Sequence, residues 1–265
     1  MYEFNYKRPT SLDEAVKLTA DDEFALLLAG GMTLLPTLKM RLAQADDIVD
    51  LNGIAELGGI SQDGEALVVG AMTRHADVAI SDLVTAAIPA LSDLAGQIGD
   101  PQVRNRGTLG GSLANNDPSA DYPAAVLGLG ATVITSRREI TADDFFIDMF
   151  ETALEPGEII RAVRFPRPKR AAYSKFPNPA SRYAVVGVFV AETGEGVRVA
   201  VTGAAPSVFR HTAMEAALAD EFSPAAIDSI VVDPGGLNDD LHASAAYRAA
   251  LVPVMAQRAV AGAGG

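Results

Sequence analysis

Gly107-Thr108-Leu109-Gly110-Gly111-Ser112, running on through Leu113-Ala114-Asn115-Asn116-Asp117-Pro118-Ser119-Ala120-Asp121-Tyr122-Pro123, belongs to the least periodic part of the chain. From Gly99 to Pro118 the apolar residues keep neither a helical nor a strand period, and Gly, Asn, Asp and Arg dominate. The segment therefore reads as a long polar loop. Loops of this length inside a globular chain are usually functional or disordered, and the interspersed apolar residues argue against disorder. The loop offers backbone donors at Gly110 and Gly111, hydroxyls on Thr108 and Ser112, and acceptors on Asp117 and Asp121. That set suits an anionic, hydroxyl-rich ligand such as a dinucleotide. Arg104-Asn105-Arg106, just upstream, suits ligand phosphates, a partner's acidic face or plain surface ion pairs.

A second glycine turn, Leu28-Ala29-Gly30-Gly31-Met32-Thr33-Leu34, joins an expected strand, Phe24 to Ala29, to an expected helix, Leu34 to Leu42. Paired glycines admit positive φ and close approach of backbone to ligand, and successive free N–H groups suit a phosphate. A purely structural strand–helix turn is the competing reading. Neither turn is Gly-x-Gly-x-x-Gly or Gly-x-x-x-x-Gly-Lys, so Rossmann and P-loop folds find no support.

Outward from these turns, Ser11-Leu12-Asp13-Glu14 is a capping box that predicts a short amphipathic helix. With the strand predicted at Ile48–Leu51, the opening ~50 residues form a unit of about βαβ length. A strand over Ala66–Met72 and helices over Thr73–Ile80 and Ile88–Ile98 follow. After the polar loop come a strand at Thr132–Thr135, a mainly helical Asp143–Leu154 and a strand over Glu158–Phe165. Pro166-Arg167-Pro168-Lys169-Arg170 cannot continue that strand and marks the expected boundary. Beyond it lie strands at Tyr173–Phe176, Val185–Glu192 and Val197–Gly203, the last two joined by a Thr193-Gly194-Glu195-Gly196 hairpin turn. Helices over Thr212–Ala219 and Ala243–Ala261 close the chain, and its Ala-Gly-Ala-Gly-Gly ending reads as frayed. The pattern is α+β.

Composition excludes several function classes. A formal charge of -13 over 265 residues disfavours nucleic acid and anionic membrane surfaces, which need clustered Lys and Arg. No apolar stretch is long enough to span a bilayer, and no basic-then-apolar leader opens the sequence, so the expectation is a cytoplasmic protein. The absence of cysteine removes disulfides, thiol nucleophiles and iron–sulfur ligation by this chain. His75, His211 and His242 have no metal-ligand spacing and read as surface or helix-end residues. Asp46-Asp47 and Asp143-Asp144 read as solvated helix-start charges rather than acid/base dyads. No nucleophile–base constellation is present, so no catalytic or metal-ligating residue is assigned.

At the two glycine turns the chain resembles a known family. Ala29-Gly30-Gly31-Met32-Thr33-Leu34-Leu35-Pro36 with Lys39-Met40-Arg41-Leu42, and Ile98-Gly99-Asp100-Pro101-Gln102-Val103-Arg104-Asn105-Arg106-Gly107-Thr108-Leu109-Gly110-Gly111-Ser112, are similar to the FAD-binding medium subunits of molybdenum hydroxylases. That family includes aerobic carbon monoxide dehydrogenase and relatives of xanthine dehydrogenase. The likeness continues through Ala120-Asp121-Tyr122-Pro123-Ala124, Glu151-Thr152-Ala153-Leu154-Glu155-Pro156-Gly157-Glu158 and Tyr173-Ser174-Lys175-Phe176, and is weakest from Asp220 to Leu241.

The resemblance implies a two-subdomain FAD-binding domain of the PCMH type over residues 1–167, divided near residue 53, and a small C-terminal α+β domain with an antiparallel sheet over 168–265. It assigns the FAD pyrophosphate to Ala29, Gly30, Gly31, Met32, Thr33 and Leu34, and to Thr108, Gly110, Gly111 and Ser112, with Leu28 beside them as a cofactor-binding residue. Asp121 matches an acidic residue that binds a polar part of the cofactor, with Asp117 beside it. Ile98, Leu154 and Lys175 match positions that line the flavin site, and Tyr183 an aromatic near the isoalloxazine ring. Met32 stands where relatives often carry a polar residue, and Ile98 where some carry an aromatic. Molybdopterin and [2Fe-2S] clusters are implied on a large and a small partner subunit, in a heterohexamer. Electrons are expected to pass from molybdenum through the clusters to FAD and on to quinone, NAD or oxygen. A stand-alone flavin oxidoreductase and a non-catalytic binding or assembly module remain the alternatives.

Overall fold

The structure is a computed structural model that describes residues 1–20 and 24–264. It begins with β1 (Asn5–Lys7), α1 (Leu12–Ala20), β2 (Leu26–Leu28), α2 (Leu34–Lys39) and β3 (Asp47–Asp50). The strands form a parallel sheet in the order β1-β3-β2. Ser11 Oγ accepts from the Glu14 N–H at the start of α1, which turns Leu12 and Ala15 onto Val49 and Leu51. The helix expected over Leu34–Leu42 stops earlier, because Arg41 takes φ +59°.

A five-stranded antiparallel sheet, ordered β4-β5-β10-β6-β7, follows. Its strands are β4 (Ile60–Asp63), β5 (Ala66–Gly70), β6 (Thr132–Thr135), β7 (Glu139–Thr141) and β10 (Ile160–Phe165). Between β5 and β6 run six helices: α3 (His75–Ile80), α4 (Asp82–Ala87), α5 (Pro89–Gly96), α6 (Pro101–Arg104), α7 (Leu109–Asn115) and α8 (Tyr122–Leu129). The long polar loop of the sequence reading is thus two short helices with a linker. Asp100 and Thr108 cap α6 and α7 through side-chain acceptors, and Asn116 ends α7 at φ +41°.

The helix expected over Asp143–Leu154 is a single turn, α9 (Ala142–Phe145), followed by a small hairpin of β8 (Phe146–Asp148) and β9 (Glu151–Thr152). Phe150 turns the chain at φ +56°, and buried Asn116 holds the hairpin by donating to the carbonyls of Asp148 and Glu151. Asp143 and Asp144 are exposed in the first turn of α9, as expected of helix-start charges, but Asp143 is also paired. It accepts both from buried Arg198 at 2.7 Å and from Arg210 at 3.3 Å. Asp47 opens β3, buried against Lys7 and Asn5.

The last sheet is antiparallel, β11-β12-β13-β14, from β11 (Arg170–Pro177), β12 (Ala184–Thr193), β13 (Gly196–Thr202) and β14 (Phe209–Arg210). Gly196 at φ +119° closes the hairpin that the sequence predicts between β12 and β13. α10 (Thr212–Asp220) and α11 (Ala245–Ala263) cover this sheet around Val186, Val188, Val199 and Val201. The expected frayed ending is helical through Ala263; Gly265 lies outside the described residues. α8 is buried along its whole length, and Phe189, Ala191 and Ala200 of the last sheet join the same core as α8 and the five-stranded sheet. Among the described residues no helix is long and apolar enough to cross a membrane.

Candidate cofactor site

A cavity of about 600 Å³ lies where the first parallel sheet meets the helices that follow β5. Pockets for small organic ligands fall in this size range. The Gly30–Gly31 turn forms one wall and Thr108–Ser112 another. Asn52 at the end of β3 fixes the first turn by donating to the Ala29 carbonyl at 2.9 Å and to Asp50 at 2.7 Å. Gly31 then takes φ +74°, which favours glycine. The N–H groups of Gly30, Gly31, Met32 and Thr33 meet no acceptor among the described residues. Four successive unsatisfied amides beside a cavity form a concavity for an anion.

The second turn works differently from its sequence reading. The Gly110 N–H donates to Ala71 O at 2.8 Å, and the Gly111 N–H to Thr108 Oγ1 at 3.2 Å. Neither amide is left for a ligand. Gly110 is glycine because a Cβ there would lie 2.6 Å from that of Ala71, so α7 can sit on the end of β5. The hydroxyl-bearing residues of this turn, Thr108 and Ser112, both line the cavity. The two turns also touch, since a Cβ on Gly30 would lie 2.1 Å from the Arg106 carbonyl oxygen. Arg104 donates to the carbonyls of Ile98 and Gly99, so it braces the approach to the site. Among the described residues neither Arg104 nor Arg106 forms an ion pair.

Of the residues assigned from sequence, fifteen line the cavity: Ala29, Gly30, Gly31, Met32, Thr33, Leu34, Ile98, Thr108, Gly110, Gly111, Ser112, Asp117, Asp121, Leu154 and Tyr183. Two do not. Leu28 packs beneath the turn with Leu38 and Ile48. Lys175, its side chain 2% exposed, lies behind the wall and donates to Asp121 Oδ2 at 2.9 Å and Gln97 O at 3.1 Å. Burial pushes the Asp121 carboxyl up, and the Lys175 charge pulls it back. Burial also raises Asp117, which accepts from the Ser119 N–H. Tyr183, 47% exposed, stands at the rim.

Among the wall residues that the sequence reading did not assign are His75 and Glu158. Glu158 is buried; that raises its carboxyl, but donors from Arg138, the Glu155 N–H and Thr135 outweigh burial and hold it at about 2. His75 is buried rather than on the surface, packed 5.3 Å from the Tyr122 ring with Nδ1 unpartnered. Burial and the nearby Arg104 charge lower it from 6.5 to about 4. The folded chain therefore resists a proton that the unfolded chain accepts. Stability is full above pH ~6.5 and falls as pH drops toward 4, by about 3 kcal/mol at 1.36 kcal/mol per unit. Urea midpoints measured between pH 7 and pH 4 should show this slope, and His75→Leu should flatten it. His211 is also lowered by burial and adds to the same window.

Comparison with known proteins supplies the ligand class. Residues 2–168 match the family model described as the FAD binding domain in molybdopterin dehydrogenase. The chain belongs to the FAD-binding medium subunits of the molybdenum hydroxylases. It is 35% identical to the carbon monoxide dehydrogenase medium chain of Hydrogenophaga pseudoflava over 97% of this chain and 96% of that one. It is 34% identical to the nicotine 6-hydroxylase medium subunit of Paenarthrobacter nicotinovorans, covering 98% and 96%. A chain of reconstituted CO dehydrogenase from Oligotropha carboxidovorans superposes with a TM-score of 0.92, at 33% identity, covering 99% and 98%. Like these oxidoreductase medium subunits, this one is an α+β FAD-binding protein.

Proposed function

We propose that FAD lies in the 600 Å³ cavity with its pyrophosphate on the amides of Gly30, Gly31, Met32 and Thr33 and against the Thr108 and Ser112 hydroxyls. The row of unpartnered amides carries this reading. Two phosphates need several donors converging on one spot, and no other described part of this cavity wall offers such a row. Asp121 and Asp117 are placed to accept from cofactor hydroxyls or ring N–H groups. Ile98 and Leu154, which pack against the main core, keep water from the flavin side, and Tyr183 covers the rim. Leu28 and Lys175 support the wall from behind. Residues 1–53 and 54–167 supply the two turns as subdomains, and 168–265 form the separate C-terminal domain.

Bound FAD supplies electron acceptance and release. The chain serves as the relay unit of a cytoplasmic heterohexamer, linking molybdenum and [2Fe-2S] clusters on large and small partner subunits to an external acceptor. The names of the relatives, medium chains of carbon monoxide dehydrogenase and of nicotine 6-hydroxylase, support that division of labour, as does a chain without cysteine. Affinity purification from the source organism tests it. Molybdenum, iron and FAD should co-elute with one larger and one smaller subunit, and an isolated chain that turns over an organic substrate would overturn it.

Met32 is 39% exposed at the cavity, and its contribution is a backbone N–H. Met32→Ser should therefore leave the FAD dissociation constant within about threefold, less than 1 kcal/mol, as a fluorescence titration would check.

A further inference from the structure

Asp121 reaches the cavity from the first residue before α8, yet what holds it comes from the last sheet. Its Oδ1 accepts from the Tyr173 hydroxyl at 2.5 Å and its Oδ2 from Lys175 Nζ at 2.9 Å. Tyr173 and Lys175 are two apart on β11, so they project to the same face of that strand. Both lie outside residues 2–168, the part matched to the FAD-binding family model. The neighbouring strand is shaped to admit this arrangement. A Cβ on Gly187 of β12 would lie 2.2 Å from the Tyr173 hydroxyl oxygen, so only glycine leaves the hydroxyl its place.

The same sheet grips the turn that delivers Asp121. The Ala184 N–H donates to Ser119 O at 3.2 Å, and the Gly203 N–H to Pro118 O at 2.8 Å. Thr202 Oγ1 donates to Ala120 O at 2.6 Å. Three backbone carbonyls and one carboxylate of a four-residue stretch are thus fixed by β11, by the start of β12 and by the end of β13.

We infer that Tyr173 and Lys175 are positioning residues for the cofactor, acting through Asp121: they aim its carboxylate into the cavity, so that the C-terminal sheet sets how tightly FAD is held. This rests on the FAD reading of the cavity. A charged acceptor fixed by two donors is preorganised, and a hydrogen bond to it is stronger than one to a neutral group. With either donor gone, the carboxylate turns to satisfy itself elsewhere.

The test is a double-mutant cycle on the full-length chain, with FAD affinity read by fluorescence titration and the bound flavin by its absorption spectrum and midpoint potential. Tyr173→Phe removes one hydroxyl and keeps the ring. It should weaken FAD binding about tenfold alone and less than about twofold in an Asp121→Asn background, because contacting residues couple. The flavin spectrum and potential of Tyr173→Phe should shift in the direction given by Asp121→Asn, with no further shift in the double variant. Lys175→Met should show the same coupling and provides a second route should one variant fold poorly. An equal loss of affinity in both backgrounds would make Tyr173 merely structural and overturn the inference. Unchanged affinity in Tyr173→Phe and Lys175→Met, with wild type binding FAD, would overturn it alone. A folded wild-type chain that takes up no FAD would overturn it together with the reading on which it rests.

Discussion

Gly30→Ala should abolish detectable FAD binding, at least a ~100-fold loss, and lower the unfolding free energy by about 3 kcal/mol. The added Cβ would lie 2.1 Å from the Arg106 carbonyl oxygen and 2.8 Å from Gly107 Cα. Both are backbone atoms, so no side-chain rotation relieves the overlap. The two turns must move apart, which carries the free amides of Gly30 to Thr33 away from the Thr108 and Ser112 hydroxyls. Gly96→Ala is the matched control, since nothing lies within 4 Å of a Cβ there, at an exposed position at the end of α5. Alanine in a helix is favoured over glycine by roughly 0.5–1 kcal/mol, so that variant should bind FAD normally and melt slightly higher. Urea melts and FAD titrations of the pair separate the contact between turns from a general effect of replacing glycine.

Arg248→Met should cost about 3 kcal/mol or more, since each buried polar group left without a partner costs about 1–3 kcal/mol. Arg248 is buried on α11 and donates through Nη1 to the Val185 and Gly203 carbonyls at 2.7 and 2.9 Å. Its Nη2 reaches Asp240 at 2.7 Å. Methionine fills much of the space but leaves both buried carbonyls without a donor. Gly203, at φ +81°, carries the amide that holds Pro118. The same substitution should therefore loosen the turn that delivers Asp121 and weaken FAD binding as well as the fold. Asp240→Asn, at a half-exposed position that still offers Arg248 an amide oxygen, should cost less, about 1 kcal/mol. Chemical denaturation of the two variants side by side checks the ordering.

What the sequence made legible follows from how local each signal is. The Gly30-Gly31 turn was legible because glycine pairs report backbone conformation directly, and the β12–β13 hairpin because its turn residues do. α8 was not, because it is apolar on every side and so has no period. α7 escaped because Gly110 and Gly111 weaken helix propensity; tertiary packing against Ala71 and the Thr108 cap override that. The hairpin after Phe145 has no local signature, since its turn rests on Phe150 and on a clamp from Asn116, 34 residues earlier. Ten of the fifteen assigned residues that line the cavity do so because they belong to the two turns. Lys175 lies behind the wall because its charge is answered by Asp121, a partner 54 residues away that no local pattern reveals. His75 and Glu158 carry no local signature of burial; their place depends on Gly107 leaving room and on Arg138 answering charge.

Titration of the purified full-length chain with FAD, followed by flavin absorption and fluorescence after removal of unbound cofactor, tests the central claim most directly. One FAD should remain per chain, and the signal should be lost in Gly30→Ala and kept in Met32→Ser. A folded wild-type chain that retains no FAD at saturating concentration, or one whose binding survives Gly30→Ala, would contradict the placement of the cofactor between the two turns.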